Sequence, residues 1–383
     1  MTLLSTTRAA LFASALVLPA LQACGGGGEG GEAPAPLTVS PTEGQADEPR
    51  LAAGSVSVTE LSRLEPAGRW SDAQAVAMDG DGHTYVLDSA VPARILKFDS
   101  AGAFLLRFGE DQDNRAAPTV IRQMSFAPEW NTILVSDPVK NVVASYLTLG
   151  MSSYTVEMRG GIPLEVLGRP QFGEYYLHAW DQLRSTSGVY HLRLPLDTLA
   201  VTYEVRIPSN APVRKVMRDI YYRVTTDDAG RLYVAFQDGY PVRVLEPDGG
   251  TVRLQGIDRR GVARTSERIA AETEENLAKL RSEAPDLPDS LLMDAARPDS
   301  LLPVVEELDV DHVGRLWVRT HRADAAGATS YDVFDADGSY LARVDVPGAV
   351  RATTLAPDGT LVVLDESADE AGVVVRYEVR LGG

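Results

Sequence analysis

The stretch DGHTYVLD, residues 81–88, is an Asp-Gly turn followed by a strand-like run that ends in a second Asp. Whether it is a single strand or one copy of a repeated unit decides the architecture. Read from Asp79, DGDGHTYVLD (79–88) returns in approximate form five more times. The copies are PEWNTILVSD (128–137), PQFGEYYLHAWD (170–181), DDAGRLYVAFQD (227–238), DHVGRLWVRTH (311–321) and PDGTLVVLD (357–365). Each is a Gly- or Asn-containing turn leading into a β-branched or aromatic run, the signal of a tight hairpin entering a buried strand. A short apolar run precedes each turn, as in QAVAM, IRQMSF and ATTLA, and one or two further strands follow it. After the first phrase these are ARILKFD (93–99) and AFLLRFG (103–109).

Each unit therefore reads as four short antiparallel strands. The turn residues Gly82, Asn131, Gly173, Gly230, Gly314 and Gly359 are about 40–57 residues apart, with one gap too long by about 40. Four strands at that period predict an all-β, six-bladed β-propeller. A β-sandwich also shows many short strands, but a phrase that returns six times at a near-constant period argues against it. The last unit has only three strands, while SVSVTELSRL (55–64) has no unit of its own. A ring leaves no unpaired edge if residues 55–64 supply the outer strand of the last blade.

YVLDSAVPARILKFDSAGAFLLRFG (85–109) resembles the NHL repeat in its Y-V-x-D, I-x-x-F-D and G-x-x-L-x-x-F-G elements. The whole arrangement is similar to bacterial NHL-like six-bladed propeller lipoproteins. Strong similarity is confined to the first unit. The resemblance specifies architecture well and function poorly, since such propellers include lyases, lactonases, sensors and scaffolds.

The long gap holds 264–303, a helical insertion between blades 4 and 5. Residues 266–283 are rich in Ala, Glu, Leu and Arg, and Pro285 follows them. A second helix is expected over 289–296, with Asp289 or Ser290 as its N-cap. The insertion is either a partial lid on the face of the second-to-third-strand loops or a solvated decoration.

The N-terminus carries an address. Arg8 precedes the apolar AALFASALVLPAL (9–21), which is too short for a bilayer span and suits a signal peptide over 1–23. Leu21-Gln22-Ala23-Cys24 resembles the lipobox of bacterial lipoproteins, which implies a diacylated Cys24, and Gly25 after it points by analogy to the outer membrane. Residues 24–54, Gly-rich and then Pro-rich, read as a flexible tether. The G-x-G-x-x-G at Gly26, Gly28 and Gly31 has neither the strand nor the helix that a dinucleotide site needs. Cys24 is the single cysteine, so no internal disulfide is available. A net charge of -18 repels phosphate backbones and argues against nucleic acid as a partner. The chain is expected to be a monomer.

No nucleophile elbow, P-loop or EF-hand loop is present. The candidate residues are those at the ends of the strands that follow the turns: Asp88, Asp137 and Asp365 in one register, and Asp181 and Asp238 two positions later. His178 and His321 lie near the same mouth, whereas His83 and His312 lie at turns on the opposite face. Converging carboxylates could hold a divalent cation such as Ca²⁺ or bind a cationic ligand; alternatively each Asp caps its own loop. The peptidylamidoglycolate lyases, similar to this fold, gather histidines around zinc at the axis, but only His178 and His321 lie near this mouth, which argues against the same site here. No cofactor is evident, and a divalent cation, Ca²⁺ or Zn²⁺, is the one kind these residues could hold. The leading expectation is a membrane-tethered propeller that binds a protein or a small molecule. The alternative is a metal-dependent lyase or lactonase at the channel mouth.

Overall fold

A computed structural model describes residues 38–41, 49–52 and 55–382. Within that last span, 90–92, 111–117, 119, 120, 122, 128–130, 139, 159, 160, 169–173, 182–185, 194–198, 207–221, 237–241, 248–250, 256–261, 284–287, 322–326 and 368–370 lie outside the described residues. The signal segment, Cys24 and Asp238 lie outside them too. The fold is all-β and propeller-like, built of antiparallel sheets.

Two strands, β1 (Thr38–Pro41) and β2 (Val56–Leu64), precede the repeats. The first sheet is β3 (Ala73–Met78), β4 (Thr84–Asp88), β5 (Arg94–Phe98) and β6 (Phe104–Phe108). The second is β7 (Gln123–Ala127), β8 (Thr132–Asp137), β9 (Val142–Leu147) and β10 (Ser152–Glu157). The third is β11 (Gly161–Gly168), β12 (Glu174–Asp181), β13 (Thr186–Arg193) and β14 (Leu199–Arg206). The fourth holds β15 (Arg223–Thr226), β16 (Leu232–Ala235), β17 (Val242–Leu245) and β18 (Thr251–Gln255). The fifth is β19 (Glu307–Val310), β20 (Leu316–Thr320), β21 (Ala328–Phe334) and β22 (Tyr340–Pro347). In the sixth, β23 (Val350–Leu355), β24 (Leu361–Asp365) and β25 (Val373–Leu381) are completed by β2, which lies antiparallel to β25 with Val56 opposite Leu381 and Leu64 opposite Val374.

The first strands neighbour one another in order: β3 with β7, β7 with β11, β11 with β15, β15 with β19, β19 with β23, and β23 with β3. Their apolar faces interlock between sheets. Tyr85, Leu87 and Ile95 of the first sheet pack on Met124, Ile133 and Val135 of the second. Val76, Val86 and Phe98 pack on Val362, Leu364 and Val374 of the sixth.

The repeated phrase has a local physical cause. In DGDGHTY, the Asp79 side chain accepts the backbone N–H groups of Asp81 (3.0 Å) and His83 (2.9 Å) and the Tyr85 hydroxyl (2.7 Å). Gly82 takes φ of +80°, which a Cβ would disfavour. Asp227 holds the Arg231 N–H (2.8 Å) and the Tyr233 hydroxyl (3.0 Å) in the same way. Asp311 holds the Arg315 N–H (2.9 Å) and the Trp317 indole N–H (3.2 Å). An Asp six residues before an aromatic thus closes the turn and anchors the ring that enters the core. Asn131 reaches φ of +49° where the second unit lacks glycine, and Gly173 lies outside the described residues.

Residues Arg376, Arg351 and Trp70 stitch the sixth sheet to the first. Arg376 donates to the carbonyls of Gly82 (2.7 Å) and Ser100 (2.8 Å) and to the Thr84 hydroxyl (3.0 Å). Arg351 donates to Asp72 (2.9 Å) and to the Ala73 carbonyl (2.6 Å), and the Trp70 indole donates to Gly372 (3.0 Å).

Part of the expected tether is ordered chain. β1 pairs in parallel with β18, Thr38 opposite Thr251 and Pro41 opposite Leu254, and makes the fourth sheet five-stranded. Further on, the N–H groups of Arg50 and Leu51 donate to Tyr340 (3.1 Å) and Leu341 (2.9 Å) of β22. Residues of the segment therefore meet the outer edges of two sheets, the fourth and the fifth, where open backbone groups need partners.

The insertion forms α1 (Ser266–Glu283) and α2 (Asp289–Ala296). The cap of α2 differs from expectation: Pro288 occupies the N-cap with φ of -57° and makes no side-chain bond. Proline loses nothing there, because the first helical N–H groups lack intrahelical partners. Asp289 instead falls in the first turn, where its charge favours the helix dipole. The base of the insertion is pinched. Ala263 bridges Leu301, the Arg264 N–H donates to Ser300 (2.9 Å), and the Leu302 N–H donates to Val262 (2.8 Å). Excising residues 265–299 and rejoining the ends through a short Gly-Ser turn is expected to preserve one cooperative melt. Loss of that transition by calorimetry would show that the helices are structural.

Candidate functional site

The expected residues separate in the structure. Asp88, at the end of β4, is fully buried, and it accepts the backbone N–H groups of Ser71 (3.4 Å) and Asp72 (3.1 Å) and the Arg94 Nε (2.9 Å). Asp137, equally buried, accepts the Lys140 N–H at 3.0 Å. Asp365 accepts the N–H groups of Ala349 (3.1 Å) and Ser367 (2.9 Å) and the Ser367 hydroxyl (2.7 Å). These three carboxylates close loops of their own sheets, as Asp does at turns. Asp181 is half-buried at the end of β12, opposite Gly161 and Thr186. His178 is buried in β12, with Nε2 at 3.1 Å from the Ser187 hydroxyl and its ring 4.2 Å from that of Tyr222. His321 Nε2 lies 2.5 Å from a carboxylate oxygen of Glu306.

That last contact leads to a cluster on the first strands. Strand side chains alternate, so Glu307 and Asp309 share one face of β19, away from Leu308, which packs in the core. Gln123 and Ser125 share a face of β7 in the same way, while Glu165 comes from β11, Arg223 from β15 and Thr353 from β23.

Hydrogen bonds join these groups across sheets. Gln123 Nε2 donates to Glu165 at 2.5 Å, and Ser125 donates to the Val166 carbonyl at 2.8 Å. The Thr353 hydroxyl donates to Glu307 at 2.6 Å, and the Leu355 N–H donates to Asp309 at 2.8 Å. Arg319, buried in β20, sits 3.3 Å from Glu307 and 3.7 Å from Glu306, and also donates to the carbonyls of Val350 (2.6 Å) and Arg351 (3.2 Å).

The electrostatics follow from burial with an excess of carboxylates. Burial pushes the Glu165 carboxyl up to about 8; the Arg223 charge and the Gln123 bond oppose this, and the charges of Glu307 and Asp309 add to it. Burial likewise pushes Asp309 up to about 7, against the Leu355 and Val310 N–H groups and with help from Glu307. Burial would raise Glu306 as well, but His321 and Arg319 overcome it and hold that carboxyl below its ordinary value. Four carboxyl groups, two of them titrating near neutrality, thus gather with two guanidinium groups and one imidazole. Such a set can bind a positive charge or exchange a proton.

The sequence carried a signal for this cluster in the runs before each turn. Those runs read as apolar, yet Gln123, Glu165, Arg223, Glu307, Asp309 and Thr353 interrupt them. A charged residue in a strand otherwise built for burial needs a reason, and here it faces the meeting point of the first strands.

Among the described residues, one group brings three potential metal-ligand atoms within 4.8 Å of one another: Asp79, Asp81 and His83. It lies in the first hairpin turn, where the Asp79 oxygens already accept from Asp81, His83 and Tyr85. The same Asp arrangement at 227 and 311 makes it a turn closure first.

No protein-family model and no curated protein matches the chain, so the NHL resemblance stands on the quoted residues. Solved structures do match. A protein of Bacteroides fragilis assigned as exported is 11% identical, with a TM-score of 0.54 over 90% of this chain and all of that one. A member of the DUF4221 family from Bacteroides vulgatus is 11% identical, with a TM-score of 0.52 over 85% of this chain and 98% of the other. Regucalcin from Agrobacterium tumefaciens, described as calcium-binding, is 14% identical over 90% and 97%, with a TM-score of 0.45. At these identities the first two likenesses show a shared propeller-like fold and nothing about ligand or chemistry. No helix among the described residues is long and apolar enough to cross a membrane.

Proposed function

We propose that this chain is a closed six-bladed propeller, exported and held at the outer membrane by a lipid on Cys24, that works by binding. Its ligand is a small molecule carrying a positive charge, taken up where the six first strands meet. Six sheets in cyclic contact and the pairing of β2 with β25 support the ring. The lipobox-like Leu21-Gln22-Ala23-Cys24 supports the anchor.

One observation carries the ligand class: in a half-buried space fed by two different sheets, the charges of Glu307 and Asp309 add to the raised proton affinity of Glu165, and that of Glu307 to the raised affinity of Asp309. A bound cation relieves that repulsion, and an anion aggravates it. Of the loop-end residues expected around this mouth, His321 is joined to the cluster through Glu306.

Thermal-shift titration of the purified chain with small amines, guanidines, divalent cations, sugars and carboxylates tests the reading. Stabilisation by members of the cationic set is expected, with at least tenfold weaker binding in Asp309→Asn and Glu307→Gln. Hits confined to carboxylates or sugars, unaltered in these variants, would sink it. The lyase or lactonase alternative gains one argument, since Asp309 and Glu165 titrate where a general acid or base works best. Turnover of a lactone by wild type, abolished in Asp309→Asn, would establish it.

A further inference from the structure

We infer that a pocket between the fifth and sixth sheets, apart from the cluster on the first strands, binds a neutral sugar ring. It shares no residue with that cluster and does not depend on the function proposed for it.

The pocket forms where the fifth sheet hands the chain to the sixth. Pro347 ends β22, and Gly348 turns the backbone toward β23, which starts at Val350. Opposite them β2 contributes Val58, Glu60 and Arg63, β25 contributes Tyr377, and the end of β24 contributes Asp365. Together they bound about 400 Å³, a size common among small-molecule sites. Gly348 has φ of +97°, and a Cβ there would lie 2.6 Å from both oxygens of Asp365. Glycine at this position is what lets the carboxylate sit against the backbone.

Two polar groups carry the inference. Asp365 is 4% exposed, and the bonds from Ala349 and Ser367 all fall on its Oδ1. Its Oδ2 accepts no hydrogen bond among the described residues. Tyr377 is 3% exposed, and its hydroxyl likewise bonds no described group. The hydroxyls of Tyr85, Tyr233 and Tyr340, by contrast, each bond an Asp. Burial and the charges of Glu60 and Asp365 raise the Tyr377 phenol against the pull of Arg63, so it keeps its proton. Polar groups set this deep cost stability unless water or a ligand meets them. A ligand hydroxyl can replace such a water bond for bond.

The chemistry of the lining selects the ligand. Glu60 and Arg63 neutralise each other through bonds of 3.1 and 2.9 Å. The Asp365 charge is already shared among the Ala349 N–H, the Ser367 N–H and the Ser367 hydroxyl. What remains is an acceptor at Oδ2 and a phenol that both gives and takes, beside the apolar Val58 and Pro347. Neighbouring hydroxyls on a ring with a C–H face meet all of these at once. An ammonium group only donates, which leaves the Tyr377 proton without an acceptor. A carboxylate is repelled by Asp365.

Ligand-observed NMR of the full chain with glucose, galactose, mannose and N-acetylglucosamine, alongside methylamine and acetate, tests this. At least one of the four sugars is expected to bind, and to bind at least tenfold more weakly in Tyr377→Phe. That variant should melt like wild type, because the hydroxyl it lacks bonds no described group of the fold. Asp365→Asn should weaken the same sugar, whereas Asp309→Asn, in the cluster on the first strands, should leave it unaltered. Binding by none of the four sugars would overturn the assignment. So would sugar binding that Tyr377→Phe leaves unaltered, or binding of methylamine or acetate that depends on Tyr377.

Discussion

Arg376→Ala is expected to cost about 3–5 kcal/mol of stability, the largest loss foreseen for any single side chain in this protein. Arg376 is 7% exposed, and its guanidinium bonds two carbonyls and a hydroxyl of the first sheet from the third strand of the sixth. Its removal leaves the Gly82 and Ser100 carbonyls without a strong donor and opens a void at the seam where the chain's ends meet. The chain itself runs from β2 of the sixth sheet into β3 of the first, but β2 is held to β25 by hydrogen bonds alone, so side-chain bonds from β25 to the first sheet reinforce this seam. Arg376→Lys retains the charge but loses the fork, and is expected to recover less than half. Arg380→Ala removes an exposed partner of Glu378 and is the control, with a change near zero. Chemical denaturation reads all three. A loss below about 1 kcal/mol for Arg376→Ala would show that the seam is held by packing alone.

Stability should fall as pH rises from about 5 to 8, and Glu165→Gln and Asp309→Asn should each flatten that slope. Both carboxyls bind protons more tightly in the folded state than the ordinary values of 4.5 and 3.8 they have in the unfolded chain. Between those values and about 8 or 7, the folded state holds more protons than the unfolded one, so stability declines with pH by linkage. The contribution is fully present below the unfolded values and lost once pH passes the folded ones. Each carboxyl is expected to account for roughly 1–3 kcal/mol across the window. The contribution of the cluster is read by difference between wild type and variant. A variant slope no flatter than wild type's would mean that water reaches these carboxyls as freely as it does on the surface. The same measurement with a cationic ligand should show the slope reduced, since the ligand substitutes for the bound protons.

The sequence by itself determined what depends on local chemistry. An Asp six residues before Tyr85, Tyr233 or Trp317, with a glycine between, can be read as a closed turn because all its bonds lie within one hairpin. The helix over 266–283 was legible from composition, and the strand at 56–64 from its alternation. Its place beside β25 followed from counting strands, because an open edge is costly anywhere.

Only the tertiary structure decided which polar groups meet. The loop-end aspartates looked convergent in register, yet Asp88, Asp137 and Asp365 turn back onto backbone N–H groups a few ångströms away. Glu165, Glu307 and Asp309 lie up to 144 residues apart, and no local pattern joins them. They come together because first strands from different sheets converge on one centre, a property of the assembled sheets. The docking of residues 38–41 and 50–51 across the outer edges has the same origin. A stretch as short as Thr38–Pro41 forms no strand alone, and it pairs where an open edge strand offers hydrogen-bond partners.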